Sequence, residues 1–219
     1  MSGTAREPGD YPAHHPNPET LLGYAAGELD EAFRVVIATH LGGCAQCRAE
    51  VLRAERIGGG VLDGMAEAAM RGDALARCMA RLDAPAPVVA PRSPVHSGLP
   101  TTLAGYAVGR WRPIGRGIAL VTVLPAVGGR AGLHLLRIAP GVRLAGHGHG
   151  GLELTAVLRG QVRDTVGTYG VGDVAENSED VDHAPMAVGD QTCVCMIAVG
   201  GKLVFRNWLL RLMQPLFGM

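Results

Sequence analysis

Aromatic residues supply only 4% of this 219-residue chain, which leaves no surface on which nucleic-acid bases could stack. Net charge is lacking as well: 20 basic residues balance 20 acidic ones, so no overall field steers the chain toward a polyanion or an anionic membrane. Together these absences argue against direct nucleic-acid binding. No window holds about 18 uncharged apolar residues, the length a membrane-spanning helix needs. The N-terminal MSGTAREPGDYPAHHP has no apolar stretch of the kind a secretory signal carries. The expected location is therefore the cytoplasm, with no membrane partner. What the chain does have is apolar material, 47% of its residues, enough for a substantial core. Its five cysteines form two tight pairs and a single. That odd set suits metal ligation or thiol chemistry in a reducing compartment better than a disulfide framework.

The chain divides in two by pattern. Residues 18–82 read as helices and carry no strand signal. In NPETLLGYAAGEL, Asn17 or Thr20 is placed to cap a first helix bearing Leu21, Leu22, Tyr24 and Ala25. LDEAFRVVIATHLGG sets Asp30 and Glu31 in the first turn of a second helix. Its apolar stripe runs through Phe33, Val36, Ile37, His40 and Leu41 and stops at a glycine pair. A third helix begins near Cys44 and is expected to break at the triple glycine 58–60, and GDALARCMARLD reads as a separate short helix. Residues 83–100 turn to proline and small side chains, the composition of a stiff, extended linker. Beyond it, GIALVTVLPA, GLHLLRIA, LELTAVLRGQVRD, GTYGVGDVAE, QTCVCMIAVG and KLVFRNWLL are short alternating or β-branched segments punctuated by Gly, Pro and Asp. That rhythm is the one an all-β barrel or jelly roll shows. The expected fold is thus α + β in separate domains: a small all-α unit over 1–84, a proline-rich linker over 85–100 and a barrel over 101–219. Charge follows the same boundary, with 8 Arg against 12 acidic residues in 1–84 and 12 basic against 8 acidic in 85–219. The apolar tail NWLLRLMQPLFGM is expected to pack on the barrel or at a dimer seam.

Two groups of residues carry chemistry. His40, Cys44 and Cys47 stand at i, i+4 and i+7 and so share one helix face. Thiolate and imidazole are ligands that zinc prefers, and a structural zinc takes four in a tetrahedron. A small helical unit with few large apolar residues gains stability from such a staple. The fourth ligand has candidates in the same half, His14, His15 and Cys78. The histidine pair is preferred, because the segment leading into the first helix can fold back over the second. A thioredoxin-like redox pair is the weaker alternative, since no strand precedes CAQC; inert buried thiols beside a chance histidine are another.

In the second half, GVRLAGHGHGGLELTAVLRG spans residues 141–160 and places His147, His149 and Glu153 at equal parity, so that on a strand they face one side. Two imidazoles and a carboxylate converging inside a barrel are costly to desolvate unless a divalent cation satisfies them together. His183, in VDHAPMA, completes a set of three histidines and one carboxylate; a histidine in a surface turn is its bland alternative. Such a set accepts zinc, iron(II), manganese or nickel, and zinc is the first expectation. Cys193 and Cys195 alternate on a strand and share a face that could lie near that cation, or they are two inert buried thiols.

These residues carry two resemblances. Segment 141–160 is similar to the first cupin motif, G-x5-H-x-H-x3-E-x6-G, at Gly141, His147, His149, Glu153 and Gly160. The second cupin motif is kept less completely, with its Gly-Asp turn and His183 but without P-x-G or the asparagine after the histidine. HH, then YAAGELDEAF, then VVIATHLGGCAQC resembles the zinc-binding anti-sigma domain. Within that family the chain is most similar to the ChrR-type anti-sigma factors, which join such a domain through a linker to a cupin. The resemblance covers nearly the whole chain. It implies a helical zinc held by His15, His40, Cys44 and Cys47, and a cupin cation held by His147, His149, Glu153 and His183. It also implies a signalling role for Cys193 and Cys195, which match a C-x-C of the family. The function it implies is regulation rather than catalysis: an anti-sigma factor that binds and occludes an extracytoplasmic-function sigma factor and releases it under stress. Singlet oxygen and organic peroxides are the inducing signals of the family. The rival reading is a metal-dependent cupin enzyme, a dioxygenase or isomerase with an accessory zinc domain. The barrel sequence shows ligands for such an enzyme but no general base or substrate clamp, and the helical half is left unexplained.

Overall fold

The computed structural model describes residues 12–85, 98–178, 183–201 and 203–205, the side chains of His149 and 203–205 excepted. Most of the proline-rich linker and the apolar tail from residue 206 lie outside the described residues.

Helix α1 (Pro18–Ala26) begins on a proline, whose missing N–H costs nothing in a first turn. It ends at Gly27, whose left-handed φ of 74° suits a helix C-terminus. Helix α2 (Glu31–Gly43) follows Asp30 and passes at Cys44 into α3 (Ala45–Asp63). Against the sequence expectation, α3 runs without a break through Gly58, Gly59 and Gly60, none of which takes a positive φ. The flanking Arg, Glu, Ile and Leu favour helix, and each interior glycine costs only about 1 kcal/mol. Helix α4 (Ala74–Asp83) stands apart, as its sequence predicts.

After a 3₁₀ turn at Thr101–Leu103 come strands β1 (Arg112–Gly115), β2 (Ile118–Leu124), β3 (Gly132–Ile138), β4 (His147–His149), β5 (Glu153–Arg159) and β6 (Gln161–Arg163). They are followed by β7 (Thr168–Tyr169), β8 (Val174–Asn177), β9 (Met186–Val188), β10 (Cys193–Val199) and β11 (Leu203–Phe205). Their pairings are antiparallel. A six-stranded sheet has the order β1-β2-β3-β10-β5-β8, a three-stranded one the order β7-β6-β9, and β11 pairs with β4. Leu136, Val157 and Ala175 of the large sheet pack with Val162, Tyr169 and Ala187 of the small one to fill the sandwich. The tight turn from β5 to β6 requires glycine: Gly160 has φ 69°, and a Cβ there would stand 3.0 Å from Cys193 Cα and Thr192 O.

The large sheet is apolar on both faces. Along β5, Val157 faces the sandwich while Leu154 and Ala156 face outward; along β10, Cys193 and Cys195 face inward while Met196 and Ala198 face outward. The outward set joins Phe33, Val36 and Ile37 of α2 in one continuous core. The Phe33 ring lies against Gly200, 3.1 Å from where a Cβ would stand. Polar bonds fasten the same seam: Ala131 N donates to Asp30 Oδ2 at 2.8 Å and Tyr106 Oη to Glu31 Oε1 at 2.7 Å. LELTAVL and TCVCMIAV carry apolar residues at both parities, the mark of strands buried on both faces.

Candidate metal centres

The helical cluster forms where the segment ahead of α1 crosses the junction of α2 and α3. His40 lies in the last turn of α2, and Cys47 in the first turn of α3. Cys44, between them, leaves helical geometry at φ −105°, ψ 105°. The three residues therefore do not share one unbroken helix, as their spacing alone suggests. The bend after Gly42 and Gly43 turns both thiols toward one point, and Cys44 Sγ accepts from Cys47 N at 3.4 Å, capping α3. His15 Nδ1 sits 3.4 Å from Cys44 Sγ, 3.4 Å from Cys47 Sγ and 3.5 Å from His40 Nε2, while His40 Nε2 and Cys47 Sγ are 3.3 Å apart. Tetrahedral zinc with bonds of about 2.0–2.3 Å requires ligand atoms about 3.3–3.8 Å apart. The four side chains fit a zinc ion in number, type and spacing. Of the candidates for the fourth position, the fold brings in His15; His14 turns to Asp173, and Cys78 is exposed on α4.

Protonation agrees with ligation. His40 Nδ1 donates to the Gly172 carbonyl at 2.8 Å, which leaves the Nε2 lone pair facing the cluster. Burial lowers the His40 pKa against the opposing pull of that carbonyl, so the ring is neutral, the form that binds metal. Burial, then the hydrogen bond and charge of Cys44, push the Cys47 thiol up to about 12. A dication supplies the field that favours the thiolate instead.

In the barrel, His147 and His183 form an antiparallel bridge, each N–H reaching the other's carbonyl at 3.1 Å. Their ring centroids are 4.7 Å apart, and His183 Nε2 is 3.7 Å from Glu153 Oε1. One donor atom from each of the three lies within 4.8 Å of the others. His147 Nδ1 donates to Ala145 O at 2.8 Å, so in the neutral ring the proton sits on Nδ1 and Nε2 is the metal-binding nitrogen. Glu153 Oε1 accepts from Thr155 Oγ1 at 3.3 Å and Asn177 Nδ2 at 3.4 Å. Burial raises the Glu153 pKa above the usual carboxylate range despite His183 and these hydrogen bonds. Two imidazoles and a costly buried carboxylate fit a divalent cation. His149 belongs to β4, and its side chain lies outside the described residues.

Sequence reasoning missed the groups around these side chains. Asp164 holds Val166 N and Gly167 N with Oδ1 at 2.8 and 3.0 Å, and its Oδ2 approaches His183 Nδ1 to 3.8 Å. That distance is too long for a hydrogen bond. Asp164 and Asn177 are distant in sequence from the side chains they serve and carry no periodic signal, while Gly172 and Asp173, legible as the Gly-Asp turn of the second cupin motif, gave no sign of their contacts with the helical half. Cys193 and Cys195 do share the inner face, with sulfurs 3.5 Å apart. The Cys195 thiol sits well above its ordinary range, through the Cys193 hydrogen bond, burial and the nearby Glu153 charge.

Fold and clusters together define a two-centre protein, a Cys/His helical unit seated on a cupin with its own His/Glu cluster. Residues 102–202 match the family described as the ChrR cupin-like domain. Over 210 residues the chain is 39% identical to the anti-sigma-E factor ChrR of Cereibacter sphaeroides, covering 93% of this chain and 97% of that one. It is also similar to a chain in the crystal structure of Rhodobacter sphaeroides SigE in complex with the anti-sigma ChrR. That match has a TM-score of 0.69 and 33% identity, over 85% of this chain and 98% of the other. The chain belongs to the ChrR family of anti-sigma factors.

Proposed function

We propose that this protein binds and inhibits an extracytoplasmic-function sigma factor through its helical half and releases it when a stress signal alters the barrel centre. The observation that carries this reading is an apolar helical face with nothing over it among the described residues. On α4, Leu75, Cys78, Met79 and Leu82 recur at i, i+3, i+4 and i+7, yet no residue of α4 is buried. Leu75 and Leu82 are 74% and 73% exposed, and Ile57, Val61 and Leu62 of α3 are 65%, 65% and 68% exposed. A helix of this length is marginal alone in water, and exposed apolar surface of this kind marks a binding site. The acidic balance of the helical half complements the basic surfaces with which a sigma factor meets polymerase or DNA.

Zinc at His15, His40, Cys44 and Cys47 would hold the α2–α3 junction closed, which makes its binding free energy part of folding. In the barrel, His147, His149, Glu153 and His183 would hold a divalent cation, with zinc the first expectation. The Cys193–Cys195 pair, with sulfurs 3.5 Å apart, is where an oxidising signal of the singlet oxygen or organic peroxide class would act in the barrel. No described helix is long and apolar enough to cross a membrane, which accords with a cytoplasmic regulator. The family of regulators to which the chain belongs favours this reading over a cupin enzyme. Copurification tests it: the zinc-loaded full chain should retain an extracytoplasmic-function sigma factor from its host, and a Cys44→Ala, Cys47→Ala variant should lose metal and partner together. Full inhibition of the sigma factor by the metal-free variant contradicts the proposal.

A further inference from the structure

The two centres are joined by one short stretch of barrel. Gly172 O accepts from Nδ1 of His40, a member of the helical cluster, at 2.8 Å. Asp173, 1% exposed, reaches the segment that delivers His15: Oδ1 accepts from Ala13 N at 2.7 Å and His14 N at 3.0 Å, and Oδ2 pairs with His14 Nδ1 at 3.1 Å. Val174 N donates to His14 O at 3.1 Å, so the same segment adds backbone pairing to the edge of β8. Glu176 accepts from Asn17 N, Asn17 Nδ2 and Thr20 Oγ1 at 2.8, 2.9 and 2.7 Å, holding the start of α1. Asn177, 3% exposed, ends the run on the other face, where its Nδ2 donates to Glu153 Oε1.

Strand geometry makes this arrangement a physical link. Alternate residues of β8 face opposite sides: Val174 packs with the core shared by the helices, Ala175 with the core of the sandwich. β8 is also the terminal strand of the large sheet, paired there to β5 alone. A strand held by one neighbour moves with fewer ladder bonds broken than a central one. Partners in a second shell orient metal ligands, and their loss typically costs about 10–100-fold in metal affinity.

We propose that segment 172–177 completes the helical centre from the barrel and couples it to the barrel centre, Gly172 and Asp173 positioning His40 and His15 while Asn177 positions Glu153. The proposal rests on the two-centre reading above and adds the route by which a change at Glu153 reaches the sigma-binding half. Coupling between sites is established by a double-mutant cycle rather than by proximity.

The test uses the full chain loaded with cobalt(II). All proteins in the test carry Cys78→Ala, Cys193→Ala and Cys195→Ala, so that thiolate-to-cobalt absorption reports Cys44 and Cys47, the helical centre, whatever the barrel holds. Cobalt affinity at that centre is measured against a competing chelator for wild type, Asp173→Asn, Glu153→Gln and the double variant. Asp173→Asn should weaken it about tenfold; Glu153→Gln should shift it too, and that shift should vanish in the Asp173→Asn background. His14→Ala cuts the same contact from a partly exposed helical-side residue and should reproduce the Asp173→Asn effect even if that variant folds poorly. Additive effects in the cycle, or no effect of Glu153→Gln on the thiolate site, overturn the link. The readout involves no sigma factor, so failure to bind one would count against the functional reading alone.

Discussion

His134 shows what burial does to an imidazole with no cation to share. It is 2% exposed, with Nδ1 3.3 Å from Thr122 Oγ1, and burial alone lowers its pKa to about 4. The unfolded chain binds a proton there near the ordinary value of about 6.5. Between those two values the unfolded state takes up a proton that the folded state refuses, so stability falls as pH falls through the window. The loss from this residue is about 2 kcal/mol between pH 7 and pH 5. Urea unfolding of wild type and His134→Leu at both pH values isolates the effect from protonation elsewhere, the variant losing about 2 kcal/mol less; equal losses would contradict it. The residues that could ligate metal were legible from spacing because zinc and cupin sites restrict both ligand type and interval. His134 was not distinguishable from a surface histidine in sequence, since GLHLLRI reads the same whether one face of the strand or both are covered. Asp164 and Asn177 were invisible for a related reason: their partners come from other strands, and no local pattern records a tertiary neighbour.

Among the elements, periodicity identified helices and strands better than it identified how they meet. The i, i+4, i+7 spacing of His40, Cys44 and Cys47 correctly grouped the side chains, although Cys44 breaks the helix rather than continuing it. The triple glycine misled because a glycine lowers helix stability without terminating it; Gly64 is the C-cap and still bonds Gly60 O at 3.2 Å, and the pattern ends with Met65 N, which turns to Leu62 O at 3.1 Å. Helix α4 was legible as a helix, and its amphipathic spacing carries the clearest consequence. Leu75 and Leu82 are exposed and absent from either core, so charging them should leave folding nearly unchanged. A Leu75→Glu, Leu82→Glu variant is expected to weaken sigma-factor binding by more than tenfold, the order expected when apolar anchors at an interface are lost. Its cobalt–thiolate spectrum and melting temperature should match those of wild type. Undiminished affinity would show that α4 is not the docking face.

At the scale of the whole molecule, the proline-rich stretch suggests two halves that fold independently, while the packing argues for one cooperative unit. Phe33, Val36 and Ile37 are buried at 7%, 0% and 0% exposure in a core they share with Leu154, Met196 and Ala198. Separating the halves would return those side chains to water at a cost of about 1.5–3 kcal/mol each. Neither half is therefore expected to melt with the other intact. Far-UV circular dichroism, dominated by the helices, and fluorescence of Trp111 in a Trp208→Phe background, where Trp111 packs against the shared core beneath the Arg137 guanidinium, should report one midpoint. Gly200 is the position that tests the seam itself. A Cβ there would stand 3.1 Å from the Phe33 ring and 3.3 Å from Leu152 O, at a residue without a positive φ, so Gly200→Val acts by crowding alone. It should destabilise the chain by about 1–3 kcal/mol and move both signals to the same lower midpoint. If the helical signal instead melted first, with Trp111 fluorescence unmoved, the seam would be a docking contact between independent domains and the shared core would contribute little to holding them together.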